Sequence, residues 1–213
     1  MDSQIIYKYF PDLSNRQREQ IDALGALYSD WNAKINVISR KDMDSFYLHH
    51  VLHSLAVAKF MEGFLPDMKK DICIMDVGCG GGFPGIPMAI LYPEARFTLI
   101  DSIGKKVKVA QAVADSVGLK NVTTLHKRAE ETGLKADLVI SRAVTSLANF
   151  IPWVKGKYTQ GIIYLKGGNL EEEIAEACKK CRIRPGQIFQ KDITDWFKED
   201  YFQEKKVLFI PQL

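Results

Sequence analysis

The spacing of hydrophobic positions along the chain changes near residue 72. Before it, apolar residues recur at helical intervals. Ile21, Leu24, Leu27, Tyr28 and Trp31 fall on one face of a predicted helix. Ser14 with Gln17 three residues on has the pattern of a capping box at its start. Residues 1–13 read as a short irregular or helical lead-in, and 31–40 as a connection. A second helix is expected over about 45–60. Pro66 and the charged run 67–71 then separate this helical part from the remainder of the chain.

From residue 72 onward, short apolar runs alternate with amphipathic stretches. Strands are predicted at 72–77, 96–101, 122–125, 137–141 and 161–166. Helices are predicted at 86–91, 105–117, 146–154 and 169–182. Gly118 sits where a left-handed stop ends a helix. Such alternation implies a parallel sheet with helices on both faces. Segments 187–193 and 205–210 read as strands with no clear helix between them, so this last pair is expected to be antiparallel. The expectation is therefore an α/β fold with a seven-stranded, mostly parallel, Rossmann-like sheet. Residues 1–66 form a helical extension packed on a domain spanning 67–213.

The first predicted strand breaks into five glycines within eight positions, Gly78, Gly80, Gly81, Gly82 and Gly85. A helix begins immediately after them. A strand that turns through glycines into a helix start suits a nucleotide ligand, because glycine permits tight turning and close approach to the backbone. Gly80-x-Gly82-x-x-Gly85 also fits the dinucleotide fingerprint. Asp76, at the carboxyl end of the strand, would repel a pyrophosphate. It suits a cationic ligand such as S-adenosylmethionine, or it holds the glycine loop through backbone N–H groups. Asp101 ends the second strand, nineteen residues after Gly82. It is placed to accept hydrogen bonds from a ribose, and it could equally cap the next helix.

Composition narrows the picture only modestly. The 213 residues are 46% hydrophobic and 26% charged with net charge +3, ordinary for a soluble globular protein. That balance neither demands nor excludes nucleic acid. The N-terminus lacks a secretory pattern and no long apolar run is present, so the expectation is a cytoplasmic protein without a membrane span. Cys178-x-x-Cys181 falls inside a helix without a second ligand pair, and reduced thiols are expected. His49 and His53 are four apart, but His50 stands where a His-Glu-x-x-His motif carries glutamate. No metal is expected. The three histidines read instead as pocket or phosphate-contacting groups.

Three further segments complete the candidate chemistry. Arg128-Ala129-Glu130-Glu131 comes after the third strand, where an adenine edge would pass. Arg142 ends the fourth strand and points into the crevice, unless it pairs with Asp137 or a glutamate. Lys166-Gly167-Gly168 ends the fifth, a cation beside glycines.

Together these segments resemble the bacterial small-subunit ribosomal RNA guanine-N7 methyltransferases of the glucose-inhibited-division-B type. The resemblance rests on 76–87 (Asp-Val-Gly-Cys-Gly-Gly-Gly-Phe-Pro-Gly-Ile-Pro), 99–106, 128–131, 141–144 and 165–168, with Asn-x-x-Ser-Arg at 36–40 and 49–55 upstream. It covers roughly residues 30 to 170. The family implies a class I methyltransferase fold. It implies S-adenosylmethionine held by Gly78, Phe83, Ala129, Glu130 and Arg142, with Asp101 on the ribose. Asp76 and Gly80 join this set from the motif reading. The implied substrate is a guanine in the 530 loop of 16S rRNA, free or in the small ribosomal subunit, with a monomeric enzyme. Phosphate contacts are expected from Lys34, Arg40, Lys41, His49, His50, Lys105 and Lys106, and Lys166 carries over as a pocket cation. One departure stands out: where the family often has Arg-His-x-x-Asp-Ser, this chain has His49-His50-Val51-Leu52-His53-Ser54. Guanine N7 carries no proton, so no general base is needed, and no catalytic dyad is assigned. Other readings are a nicotinamide-dependent oxidoreductase, a non-catalytic RNA-binding protein on this scaffold, and a methyltransferase with another RNA, a protein or a small molecule as acceptor.

Overall fold

A computed structural model describes residues 2–66 and 71–212, apart from the side chain of Arg40. The strands are β1 (Cys73–Val77), β2 (Arg96–Asp101), β3 (Val122–His126), β4 (Ala136–Arg142), β5 (Tyr158–Gly167), β6 (Phe189–Asp192) and β7 (Lys205–Pro211). They form one sheet in the order β3-β2-β1-β4-β5-β7-β6. The first five pair in parallel, and β7 runs antiparallel to both β5 and β6. The antiparallel ending expected from the missing helix is thus present. The order reverses beside β1, at the β1/β4 junction, and in such sheets ligands bind beyond the carboxyl ends of the strands there.

Helices cover both faces, and the strand alternation assigns them. Ile74, Leu99 and Ile140 point to one core, shared with α2 (Asn15–Lys34), α4 (His53–Phe64), α5 (Gly85–Leu91) and α6 (Gly104–Ser116). Met75, Ile100 and Val139 point to the other, with α7 (Leu147–Val154) and α8 (Glu171–Cys181). Each such aliphatic or aromatic side chain taken out of water contributes about 1.5–3 kcal/mol. Ile6 of α1 (Gln4–Tyr9), with Ile21 and Leu24 of α2, belongs to the same core as Phe97 and Leu138. Residues before position 66 therefore share their core with the sheet. The charged run at 67–70 lies outside the described residues.

The capping box at Ser14 and Gln17 forms with both reciprocal bonds. Helix α2 continues to Lys34, so the expected connection shrinks to 35–39 before α3 (Arg40–Asp44). The helix expected over 45–60 differs more. Tyr47–Leu52 is a π-helical turn that feeds into α4. At its end the His53 N–H bonds the carbonyls of His50 and Leu48 and skips that of His49. The insertion frees one carbonyl for other donors, a device common near functional sites.

Candidate functional site

The glycine loop leaves β1 and turns across β2. The N–H groups of Gly78 and Cys79 both donate to the Ile100 carbonyl, at 2.8 and 3.0 Å. Gly78 has φ +72°, and a Cβ there would come within 2.3 Å of Val144 Cγ2. Gly80 has φ +54°, and a Cβ there would meet nothing within 4 Å. Glycine at these positions permits the turn and keeps the loop's inner side clear for a ligand. Tyr28, read from sequence as core, also donates its hydroxyl to the Gly81 carbonyl at 2.7 Å.

Inside the loop lies a cavity of about 400 Å³ at the carboxyl ends of the central strands. Gly78, Gly80, Phe83, Asp101, Ala129, Glu130 and Arg142, seven of the eight residues expected at a cofactor, line it. Asp101 accepts from Gly80 N at 2.9 Å and from Ile103 N at 2.8 Å, one bond to each carboxylate oxygen. It does not cap α6, whose N-cap is Ile103. Each oxygen keeps a lone pair for a further donor.

Asp76 is the exception. It is fully buried beneath the loop, where one oxygen accepts from Gly85 N at 2.7 Å. Its other oxygen has no partner among the described residues. Burial pushes its carboxyl up to about 8, so at neutral pH a proton neutralises the group proposed to meet a cation. The bond from Gly85 N is the other role weighed for Asp76, holding the loop. This has a consequence for stability. The unfolded carboxyl titrates near 3.8 and the folded one near 8, so between these values only the folded chain keeps the proton. The contribution is fully present below about pH 4, is lost as pH rises, and levels off above about 8. Compared with Asp76→Asn, wild type should lose stability across this window by up to about 1.4 kcal/mol per pH unit. Thermal melts of both proteins from pH 4 to 9 check this, and a constant difference would mean that Asp76 ionises normally.

Arg142 ends β4, half-buried, and lines this cavity and a second one. Its Nη1 donates at 2.9 Å to the His49 carbonyl freed by the π turn, and its Nη2 donates at 2.8 Å to His50 Nδ1. The guanidinium carbon lies 5.5 Å from the Phe83 ring centroid. Among the described residues no carboxylate forms a salt bridge with it. Asp137 sits at the far end of β4, accepting from Cys73 N and the Thr159 hydroxyl, so the ion pair considered for Arg142 does not form. A partly desolvated charge with no counter-charge is unfavourable until an anion reaches it.

The second cavity, of about 490 Å³, adjoins the first, and His50, Arg142, Ala143 and Val144 line both. Ala143 holds φ +53°, a left-handed conformation rare outside glycine. Tyr164 pins the segment, its hydroxyl accepting from the N–H groups of Val144 and Thr145 and donating to the Thr145 carbonyl. Lys166 lines this cavity but is not a free cation. Its ammonium donates to the Thr145 carbonyl and pairs with Glu173, both at 2.7 Å. Glu173 also accepts from Leu147 N at the start of α7.

The histidines divide their work. His49 pairs through Nδ1 with Asp42 Oδ1 at 2.9 Å and stacks on Tyr201, centroids 4.0 Å apart. His50 is pushed down to about 3 by burial and by the Arg142 charge, so it stays neutral and offers no charge to a phosphate. His53 is buried, with Nδ1 3.2 Å from the Tyr201 hydroxyl. The two family positions replaced by histidine thus meet on Tyr201. Of the expected phosphate contacts, Lys34, Lys41 and Lys105 are exposed. The Lys34 ammonium lies over Trp31, 5.4 Å from the ring centroid. Lys106 turns to the first cavity, and the Arg40 side chain lies outside the described residues. No sequence motif marks Asp42, Tyr164 or Tyr201. Each is an ordinary polar or aromatic residue, and only the fold brings it to the site.

Comparison with known proteins points the same way. The family described as rRNA small subunit methyltransferase G matches residues 17–195. Proteins named ribosomal RNA small subunit methyltransferase G are similar over nearly the whole chain. That of Bacteroides thetaiotaomicron is 50% identical, over 97% of this chain and 98% of its own. That of Christiangramia forsetii is 46% identical, over 99% and 98%. Among solved structures, a SAM-dependent O-methyltransferase from Thermotoga maritima gives a TM-score of 0.55 at 18% identity, over 88% of this chain and 71% of that one. A SAM-dependent methyltransferase from Aquifex aeolicus gives 0.52 at 17%, over 71% and 89%. At these identities the two structures establish the shared fold.

Proposed function

Because the chain belongs to the rRNA small subunit methyltransferase G family, we propose that it transfers a methyl group from S-adenosylmethionine to N7 of a guanine in the 530 loop of 16S rRNA. The observation that carries this reading is the first cavity. There a glycine loop, a ribose-competent carboxylate and an arginine without a counter-charge line one space at the switch point of the sheet. The donor set fits S-adenosylmethionine: Asp101 for the ribose hydroxyls, the Ala129–Glu130 segment for the adenine edge, and Arg142 for the methionine carboxylate. Gly78 and Gly80 leave room for its body beside Phe83. Once bound, it supplies a methyl group on a positively charged sulfur.

The chain's own task is then positioning and electrostatics. N7 attacks with an in-plane lone pair and carries no proton, so no residue has to act as base. Arg142, tied to His49 and His50, is fixed at the boundary of the two cavities. The Ala143–Val144 segment, held by Tyr164, borders both cavities and sets the line along which an acceptor in the second faces the first. The acceptor base has to leave its stack to reach that line.

We assign the substrate as 16S rRNA, free or within the small ribosomal subunit, with a monomeric enzyme acting in the cytoplasm. No helix among the described residues is long and apolar enough to cross a membrane. Calorimetry with S-adenosylmethionine and with NADH tests the ligand assignment. The first should bind, and tight NADH binding without it would favour an oxidoreductase. Labelled cofactor with undermethylated small-subunit particles should label the RNA, and an absence of incorporation would leave only an RNA-binding role.

A further inference from the structure

The second cavity holds a carboxylate that the cofactor reading does not use. Asp42 comes from α3, whose N-cap Ser39 donates its hydroxyl to Asp42 Oδ2 at 2.5 Å. His49 Nδ1 binds the other oxygen at 2.9 Å. These two contacts hold the carboxyl below its ordinary range, so it is ionised at neutral pH. Its side chain remains 41% exposed, and the residue lines the second cavity. Both oxygens are thus oriented by the protein while each keeps a lone pair for a ligand. Beside it, the stacked rings of His49 and Tyr201 line the same cavity. A flipped base is read by hydrogen bonds to its Watson–Crick edge and by stacking on aromatic or histidine side chains.

We propose that the second cavity is the guanine pocket, with Asp42 accepting the N1–H and 2-amino hydrogens of the base and the His49–Tyr201 pair forming its stacking wall. The assignment rests on the methyltransferase reading above and extends it to base selection. Guanine is the purine that presents two donors side by side on this edge. Adenine offers a bare N1 there, which a carboxylate repels. Asp42 also serves the chemistry, because methylation leaves a positive charge on the purine and a carboxylate on the far edge favours its development. The cations of the cavity are arranged consistently with this. Lys166 is neutralised by Glu173, and Arg142 is committed to His49, His50 and the first cavity. Tyr201 lies beyond the residues 17–195 that the family model matches, so the C-terminal segment supplies this part of the wall.

The test uses the full chain and small-subunit particles rebuilt with 16S rRNA carrying guanosine or inosine at the target position. Inosine keeps N7, O6 and N1–H and lacks the 2-amino group. Wild type should prefer guanosine in kcat/KM by about 10-fold or more, within the 1–3 kcal/mol range of a two-bond base contact. Asp42→Ala should lose about 10- to 100-fold on guanosine and should process the two bases nearly equally, with S-adenosylmethionine affinity unchanged. Tyr201→Leu should raise KM for the particle about 10-fold, and Tyr201→Phe should restore it, since stacking needs the ring and not the hydroxyl. Equal losses on both bases in Asp42→Ala, with the wild-type preference kept, would overturn the pocket assignment alone and leave Asp42 as a support for His49. Failure of wild type to methylate the guanosine particle would overturn the methyltransferase reading and the pocket with it.

Discussion

Arg142→Ala should lower kcat/KM for RNA methylation by about 10²-fold, the loss expected when a reactant is misplaced by about 1 Å, because Arg142 is assigned to position the cofactor's methionine carboxylate. Three observations converge on this residue. It stands at the carboxyl end of a central strand, it lines both cavities, and it has no carboxylate partner among the described residues. Its bonds to the His49 carbonyl and His50 Nδ1 fix the guanidinium plane. Removing it leaves His50 Nδ1 without a donor, at about 1–3 kcal/mol, while the His49 carbonyl keeps a longer bond from the Tyr201 hydroxyl at 3.4 Å. Loss of an uncompensated charge offsets part of that cost, so the fold should survive with a lowered melting temperature. Arg142→Lys should recover little, because one ammonium cannot span two acceptors in the geometry of a planar fork. Steady-state kinetics with a thermal melt of each variant checks this, and wild-type turnover in Arg142→Ala would remove the residue from the mechanism.

Asp101→Ala should weaken S-adenosylmethionine binding by roughly 1–3 kcal/mol, about 5- to 150-fold. Two effects add. The ligand loses the acceptor for its ribose hydroxyls. The loop also loses its anchor, because Gly80 N and Ile103 N both donate to this carboxylate. Asp101→Asn should fall between, since the amide keeps one acceptor oxygen for two backbone donors. Titration calorimetry reads the difference. Unchanged affinity in the alanine variant would take Asp101 out of the cofactor site.

How far the sequence reached depended on the range of the interaction involved. The strand–helix alternation depends on local period, and the expected strands match β1–β7 to within a few residues. The one substantial difference, the π turn at Tyr47–Leu52, comes from a hydrogen-bond rearrangement that hydrophobic spacing does not register. Motif residues such as Gly78, Gly80 and Asp101 could be read because the glycine loop and the next strand end lie close along the chain. Asp76 could not be assigned, because whether its carboxylate faces a ligand or is sealed under the loop depends on packing. The second cavity was the least legible part. Asp42, Tyr164 and Tyr201 come from a short helix, a central strand and the C-terminal segment, and they meet only once the sheet is assembled. The substitution of histidine at 49 and 53 was visible in the sequence, but the contacts of these histidines with Asp42 and Tyr201 were not, since Tyr201 lies 152 residues from His49.

The central claim is methylation of one guanine in 16S rRNA at N7, and nucleoside mass spectrometry of that RNA tests it most directly. In RNA from cells lacking this protein, the fragment containing the 530 loop should have lost a single N7-methylguanine, and re-expression of wild type should restore it where Arg142→Ala does not. An N7-methylguanine that persists at that position in the cells lacking the protein would contradict the claim.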